Sequence, residues 1–270
     1  MDNRPIGFFD SGIGGLTSIP HIMRLLPNEN IIFYGDTART PYGSKSPDTI
    51  RQFTFQIGDF LVKKGVKMIV IACNTVSATC LEALRERYPE IPVIGVISPT
   101  AKEVAKLCSP EDNIGIIATK VTVRSNAYEK KIKEQNSGFS TFSKACPAFV
   151  PLIEEGIIDN EIMDLTIRYY LDDFLRENKI NTLILGCTHY PLITDNLNRL
   201  YPDLKIISSS KEVATAVKME LDRYDMRAEE NTGESTFYAS DLSENFVNMI
   251  ELILGKDKEE LNIRFKNLDI

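Results

Sequence analysis

Lys67–Thr75 reads KMIVIACNT, and Thr182–Tyr190 reads TLILGCTHY. Each is a short aliphatic run that stops at a cysteine, and hydroxyl, amide or imidazole side chains follow. A run that is apolar at every position suits a strand covered on both faces, as in a parallel sheet flanked by helices. In such sheets ligands collect beyond the carboxyl ends of the strands. The pattern therefore predicts two buried strands, each delivering a thiol to the edge where chemistry occurs.

Working outward, similar runs recur at IGFF, NIIFY, PVIGV, NIGIIA, FSTFS, KIISS and ESTFYA. Amphipathic stretches lie between them, such as DTIRQFTFQIGDFLVKKG and NEIMDLTIRYYLDDFLREN. This alternation predicts an α/β fold. Ile6–Ser11 echoes Ile114–Thr119, and Met68–Asn74 echoes Leu183–Thr188. Both echoes run in the same chain order at a similar offset. The expectation is two pseudo-symmetric α/β domains with mainly parallel sheets, one cysteine from each facing an interdomain cleft. The boundary is placed near Ser98-Pro99 and the return near Ser208 to Ser210. That gives 1–97 plus 208–270 as one domain and 98–207 as the other. The charged stretch KDKEELNIRFKNLDI is read as a frayed tail.

The 270-residue chain is 43% hydrophobic and 26% charged, with net charge −7 and no tryptophan. Lysines and arginines are scattered, so nucleic acid and anionic membranes are not expected partners. Five dispersed cysteines without a C-x-x-C pair suit free thiols in a reducing cytoplasm. MDNRPIGFFD lacks an apolar signal region, and no run approaches transmembrane length.

Cys73 and Cys187 precede apparent helices, and a helix start eases thiol ionisation. The plain alternative is a small buried apolar residue, and it is accepted for Cys80 (placed mid-helix), Cys108 and Cys146. DSGIGG (Asp10–Gly15) is a glycine-rich turn with backbone N–H groups for an anion. Its spacing fits no dinucleotide or P-loop pattern. Asp10 either takes protons or binds an ammonium at a strand end, or it caps a helix. DTARTPYGSKS (Asp36–Ser46) is a surface loop or a substrate-lining lid. Of two histidines, His21 reads as a helix-surface residue. His189 reads as an acid–base group beside Cys187, since zinc would need more ligands than this neighbourhood offers. Glu154 and Glu155 either begin a solvated helix or orient His189. Thr119 and Thr122 supply hydroxyls at a strand end, or cap a helix.

Together GFFDSGIGGLT, FYGDTARTPYG, ACNTVSA, PVIGV, VRSNAY, CPAFVPLIEEG and GCTHYPL resemble the glutamate racemase family. Its members are cofactor-independent enzymes that make D-glutamate for bacterial peptidoglycan. The resemblance covers nearly the whole chain. The His-Tyr-Pro continuation of GCTHYP separates it from aspartate and hydantoin racemases. It implies that Cys73 and Cys187 are acid–base catalysts, assisted by Asp10 and His189, with Glu154 supporting His189. It implies substrate contacts at Asp10, Ser11, Pro41, Tyr42, Gly43, Asn74, Thr75, Thr119, Thr122, Thr188 and His189. It implies L- and D-glutamate as ligands, no cofactor, no metal and a homodimer. The chain departs from the family at Val121, where members often carry glycine.

Racemisation removes a proton from one face of a carbon and returns one on the other, which accounts for two thiols. Three rivals remain open at this stage. A cysteine hydrolase would use Cys187 and His189 and leave Cys73 idle. An amino-acid binding module would need no thiols. A thiol-redox protein is disfavoured by the missing C-x-x-C. An aspartate or related racemase is the alternative within the family.

Overall fold

The computed structural model describes residues 1–230 and 233–268. Ten strands are found among them: β1 (Ile6–Asp10), β2 (Ile31–Gly35), β3 (Met68–Ile71), β4 (Val93–Gly95), β5 (Asn113–Ala118), β6 (Ser140–Ala145), β7 (Thr182–Gly186), β8 (Lys205–Ser208), β9 (Thr236–Ala239) and β10 (Asn262–Phe265). The helices between them are α1 (Ile19–Leu25), α2 (Pro47–Lys63), α3 (Asn74–Thr79), α4 (Leu81–Arg87), α5 (Ile97–Leu107) and α6 (Lys120–Ser125). They continue with α7 (Ala127–Gln135), α8 (Phe149–Glu154), α9 (Glu161–Glu177), α10 (Thr194–Leu200), α11 (Ser209–Arg223) and α12 (Glu244–Leu254).

The strands form two sheets, in the orders β10-β9-β2-β1-β3-β4 and β6-β5-β7-β8. Every pairing is parallel. The echoed segments are β1 with β5 and β3 with β7, so one four-strand order, β2-β1-β3-β4, reappears as β6-β5-β7-β8. β1, β3 and β7 are buried along their whole length, as their unbroken apolar runs require. Helix ends follow local chemistry. Ser46 accepts from the Thr49 N–H to start α2 at Pro47, and Gly65, at φ 73°, lies just past its end. Asn160 caps α9 in the same way through the Met163 N–H.

In each sheet the chain leaves a central strand for one neighbour and returns on the other side. The order reverses between β1 and β3, and between β5 and β7. These are the crevices where doubly wound sheets bind ligands. Asp10 ends β1, Cys73 lies two residues past β3, Thr119 follows β5 and Cys187 follows β7.

One apolar cluster runs through both sheets, joining Phe8, Ile31 and Val70 to Ile114, Ile184 and Ile207. Helices α5 and α11 pack between them. A buried ion pair, Lys67 Nζ to Glu29 Oε2 at 2.6 Å, clips the base of β3 to the turn between α1 and β2. The same ammonium donates to Asp2 O and Met226 O.

Three expectations are corrected. The charged C-terminal stretch is not a frayed tail: Asn262–Phe265 pairs with Thr236–Ala239 as an edge strand. A half-exposed edge strand tolerates the polar residues that hid it. Residues 231–232 and 269–270 of the expected first domain lie outside the described residues. Cys80 is not mid-helix but at the break between α3 and α4, with φ −126° and ψ 0°. Glu154 does not begin a solvated helix but ends α8, which starts at Phe149.

Candidate active site

The carboxyl ends of the two sheets meet around a small cavity of about 20 Å³, lined in part by Cys73 and Cys187. Around it also lie Ser11, Thr40, Pro41, Tyr42, Gly43, Asn74, Thr75, Thr119, Val150, Thr188 and His189. Eleven of these thirteen were expected from sequence; Thr40 and Val150 were not. That volume is about what one water needs, so the site is closed.

The two thiols have unlike surroundings. Cys73 Sγ donates to Ser11 Oγ at 3.4 Å. Burial pushes its pKa up to about 12; the nearby Asp10 carboxylate adds to this and the Ser11 hydroxyl opposes it. The ionisation expected from a following helix is thus outweighed by desolvation at this buried position. Cys187 Sγ lies 3.9 Å from His189 Nδ1, and His189 Nε2 donates to Glu154 Oε1 at 3.0 Å. Burial works against a charged imidazole, but the hydrogen bonds to Cys187 and Glu154 outweigh it. The His189 pKa is pushed up to about 10.

Asp10 is buried beneath this surface and does not line the cavity. Its carboxylate accepts from the Gly12 N–H at 3.1 Å and the Thr188 hydroxyl at 3.3 Å. Burial raises its pKa, against the His189 charge and the Gly15 and Gly12 N–H groups. Ile13, not Asp10, occupies the N-cap position of the helical turn that follows. Thr122 is also buried off the cavity. With Thr75 and Thr119 it forms a cluster of three hydroxyls, 3.0–3.4 Å apart, that joins the two sheet ends. Thr119 is at the same time the cap of α6, so both readings of that residue hold. Val121 packs in the first sheet's apolar cluster without displacing Thr122.

Two glycines permit the closeness. A Cβ on Gly14 would meet Thr188 Oγ1 at 2.4 Å and His189 Nδ1 at 2.5 Å. A Cβ on Gly43 would meet Thr119 Cβ at 2.6 Å. The loop carrying Pro41–Gly43 is braced from behind by Asp36. Its carboxylate receives the Tyr42 hydroxyl, the Ser240 hydroxyl and the buried Arg39 guanidinium. Among the described residues no helix is long and apolar enough to cross a membrane, and no three His, Cys, Asp or Glu side chains group as metal ligands.

Residues 21–217 match the Asp/Glu/Hydantoin racemase family. The glutamate racemase of Persephonella marina is 44% identical over 252 residues, covering 93% of this chain and 94% of that protein. The chain belongs to the Asp/Glu/Hydantoin racemase family. This racemase is therefore an isomerase. The glutamate racemase structure from Francisella tularensis, solved with D-glutamate, has a TM-score of 0.91 and 39% identity. It covers 100% of this chain, which in turn covers 99% of it. A glutamate racemase from Bacillus anthracis gives a TM-score of 0.92 at 35% identity, with 99% of each chain covered.

Sequence reasoning placed both thiols and the residues beside them. It missed Asp36, which braces the Tyr42 loop, and Tyr128, whose hydroxyl bonds Asn74 Oδ1 at 2.6 Å. Both sit inside quoted motifs, but no local signal says that they face inward.

Proposed function

We propose that this racemase interconverts L-glutamate and D-glutamate, with Cys73 and Cys187 as the two acid–base groups on opposite faces of the α-carbon. The observation that carries the reading is that both cysteines line one closed cavity, each at the reversal point of a separate sheet. Relatives 39–44% identical over nearly the full length are glutamate racemases, and this supports glutamate as substrate. The two sheets are proposed as the cores of two lobes, 1–97 with 208–270 and 98–207.

In one direction one thiolate takes the α-proton and the other thiol returns a proton to the opposite face; in the reverse direction they exchange roles. His189, held as a cation against burial by Cys187 and Glu154, lies where it offsets negative charge at Cys187. Burial favours the neutral thiol at Cys73, and a cation beside it favours the thiolate that acts as base. The substrate ammonium supplies that charge. Charge developing on the substrate carboxylate is met by donors near Ser11, Asn74-Thr75 and Thr188. One well-placed donor contributes on the order of 3 kcal/mol. Cys73, Cys187 and His189 are each at most 6% exposed, so the lobes part to admit glutamate and close to exclude water.

The Cys187–His189–Glu154 arrangement also suits a cysteine hydrolase, but that reading leaves Cys73 without a task. Supply of D-glutamate to peptidoglycan, a cytoplasmic location and a homodimer complete the proposal. Five free thiols support the location, and the family resemblance supports the rest. The test is α-proton exchange in deuterated water, followed by NMR and optical rotation. L-glutamate, D-glutamate and aspartate are offered separately, without added cofactor. Deuterium incorporation with inversion of glutamate is expected. Exchange confined to aspartate refutes the substrate. Normal racemisation by Cys187→Ala refutes the two-thiol mechanism.

A further inference from the structure

Ser209 and Ser210 open α11, where the chain leaves the second sheet to return to the first. Both are buried, at 0% and 1% exposure, and neither lines the cavity. Ser209 Oγ donates to Leu185 O at 3.2 Å, two residues before Cys187. It accepts from Asn74 Nδ2 at 3.3 Å, one residue after Cys73. Asn74 Oδ1 in turn takes the Tyr128 hydroxyl at 2.6 Å, so both ends of its amide are held. Ser210 Oγ lies 2.7 Å from Thr17 Oγ1. Thr17 has one proton and two carbonyl acceptors in reach, Gly14 O at 2.7 Å and Thr188 O at 3.1 Å. Ser210 is therefore the donor to Thr17. Gly14 is in the turn after β1, and Thr188 is next to Cys187.

Adjacent helical residues point roughly 100° apart. A serine pair at one helix start can thus reach two loops at once. A serine hydroxyl both donates and accepts, so each can sit between two partners. One hydroxyl joins Asn74, next to Cys73, to Leu185 of β7, two residues before Cys187; the other reaches the β1 turn and Thr188, next to Cys187, through Thr17.

We propose that Ser209 and Ser210 form a polar latch that sets the register of the two thiol-bearing loops each time the site closes. They are positioning residues: they touch Asn74, Leu185 and Thr17, not the substrate. The inference rests on the racemase reading. An apolar contact between the lobes would permit sliding, whereas directional bonds from Ser209 to Leu185 O and from Thr17 to Thr188 O cross between them, and Asn74 and Ser210 hold those two donors in place. Misplacing a reacting group by about 1 Å costs on the order of 100-fold in rate.

The test compares Ser210→Ala, Thr17→Val and Thr17→Ser with the wild type in racemisation of glutamate. Ser210→Ala and Thr17→Val are expected to lower kcat by about 10- to 100-fold with KM little changed. Thr17→Ser, which keeps the hydroxyl, is expected to retain wild-type kcat. The double variant Ser210→Ala/Thr17→Val is expected to be no worse than Thr17→Val alone, since that change already removes the Ser210–Thr17 bond. Wild-type kcat in Ser210→Ala and Thr17→Val, with only a lowered Tm, overturns the latch. So does a Thr17→Ser enzyme as impaired as Thr17→Val. If Ser210→Ala does not fold, Tyr128→Phe removes one oxygen from the Asn74 arm and carries the same kcat expectation. A second readout needs no turnover. A short bis-alkylating thiol reagent, with the product mapped by mass spectrometry, should cross-link Cys73 to Cys187 less in Thr17→Val than in the wild type. An unchanged yield overturns the latch. A wild-type protein that exchanges no α-proton of glutamate refutes the substrate assignment instead, and the cross-link still decides the latch.

Discussion

Replacing Glu154 by glutamine tests what holds His189 cationic. Glutamine keeps an oxygen for the His189 Nε2–H but loses the charge. A hydrogen bond to a charged partner contributes about 1.5–3 kcal/mol, and a neutral one about 0.5–1.5 kcal/mol. The difference, on the order of 1.4 kcal/mol, corresponds to roughly one pH unit. His189 in the variant should thus lose its proton about one pH unit below the wild-type value of about 10. The chain has only two histidines, so a nitrogen-detected NMR titration resolves both. His21 is an internal contrast, since burial, Arg24 and Lys211 hold its pKa below the usual value. Stability should follow. Folded His189 binds its proton more tightly than the unfolded chain does. Its contribution is complete below pH 6.5 and is lost as the pH rises through about 10. The fall in Tm between those limits should be shallower in the variant. Identical titration of His189 in both proteins, or a wild-type value below 6.5, would refute the reasoning.

Cys73→Ala and Cys187→Ala should each reduce racemisation by at least about 10²–10⁴-fold, the span of a lost acid–base group, in the deuterium exchange assay. Gly14→Ala forces a methyl against Thr188 and His189. Kinetics should show a fall in kcat, and chemical denaturation a loss of about 1–3 kcal/mol. Lys67→Met leaves Glu29 buried without its cation, which costs about 3–5 kcal/mol. Calorimetry should show a Tm lower by roughly 6–20 °C for a chain of this size, with kcat at 25 °C retained.

Nine of the ten strands were legible, most of them as short apolar runs bounded by turn residues. The tenth, NIRF, was not, since an edge strand with one wet side need not be apolar. Cys73 and Cys187 were legible because a strand followed by a helix fixes what lies at its carboxyl end. Glu154 was placed beside His189 by resemblance, because 35 residues and a helix separate them. Asp10 was read as facing the ligand, yet it lies under Thr188. A strand pattern gives which end of the sheet a residue occupies, not its depth. Asp36, Tyr128 and Ser209 hold the site through bonds between distant segments. Pairings of that kind leave no periodic trace in one sequence.

The two thiols have different neighbours: Cys73 has Ser11 and Asp10, and Cys187 has His189 and Glu154. The proposed substrate and product are mirror images and have equal free energies in water. Thermodynamics then requires kcat/KM to be the same in both directions, however lopsided the protein is. The asymmetry can show only in how that shared ratio divides, with one enantiomer bound tightly and turned over slowly and the other bound weakly and turned over fast. A change beside one sulfur therefore alters both directions equally at low substrate, and separates them only at saturation.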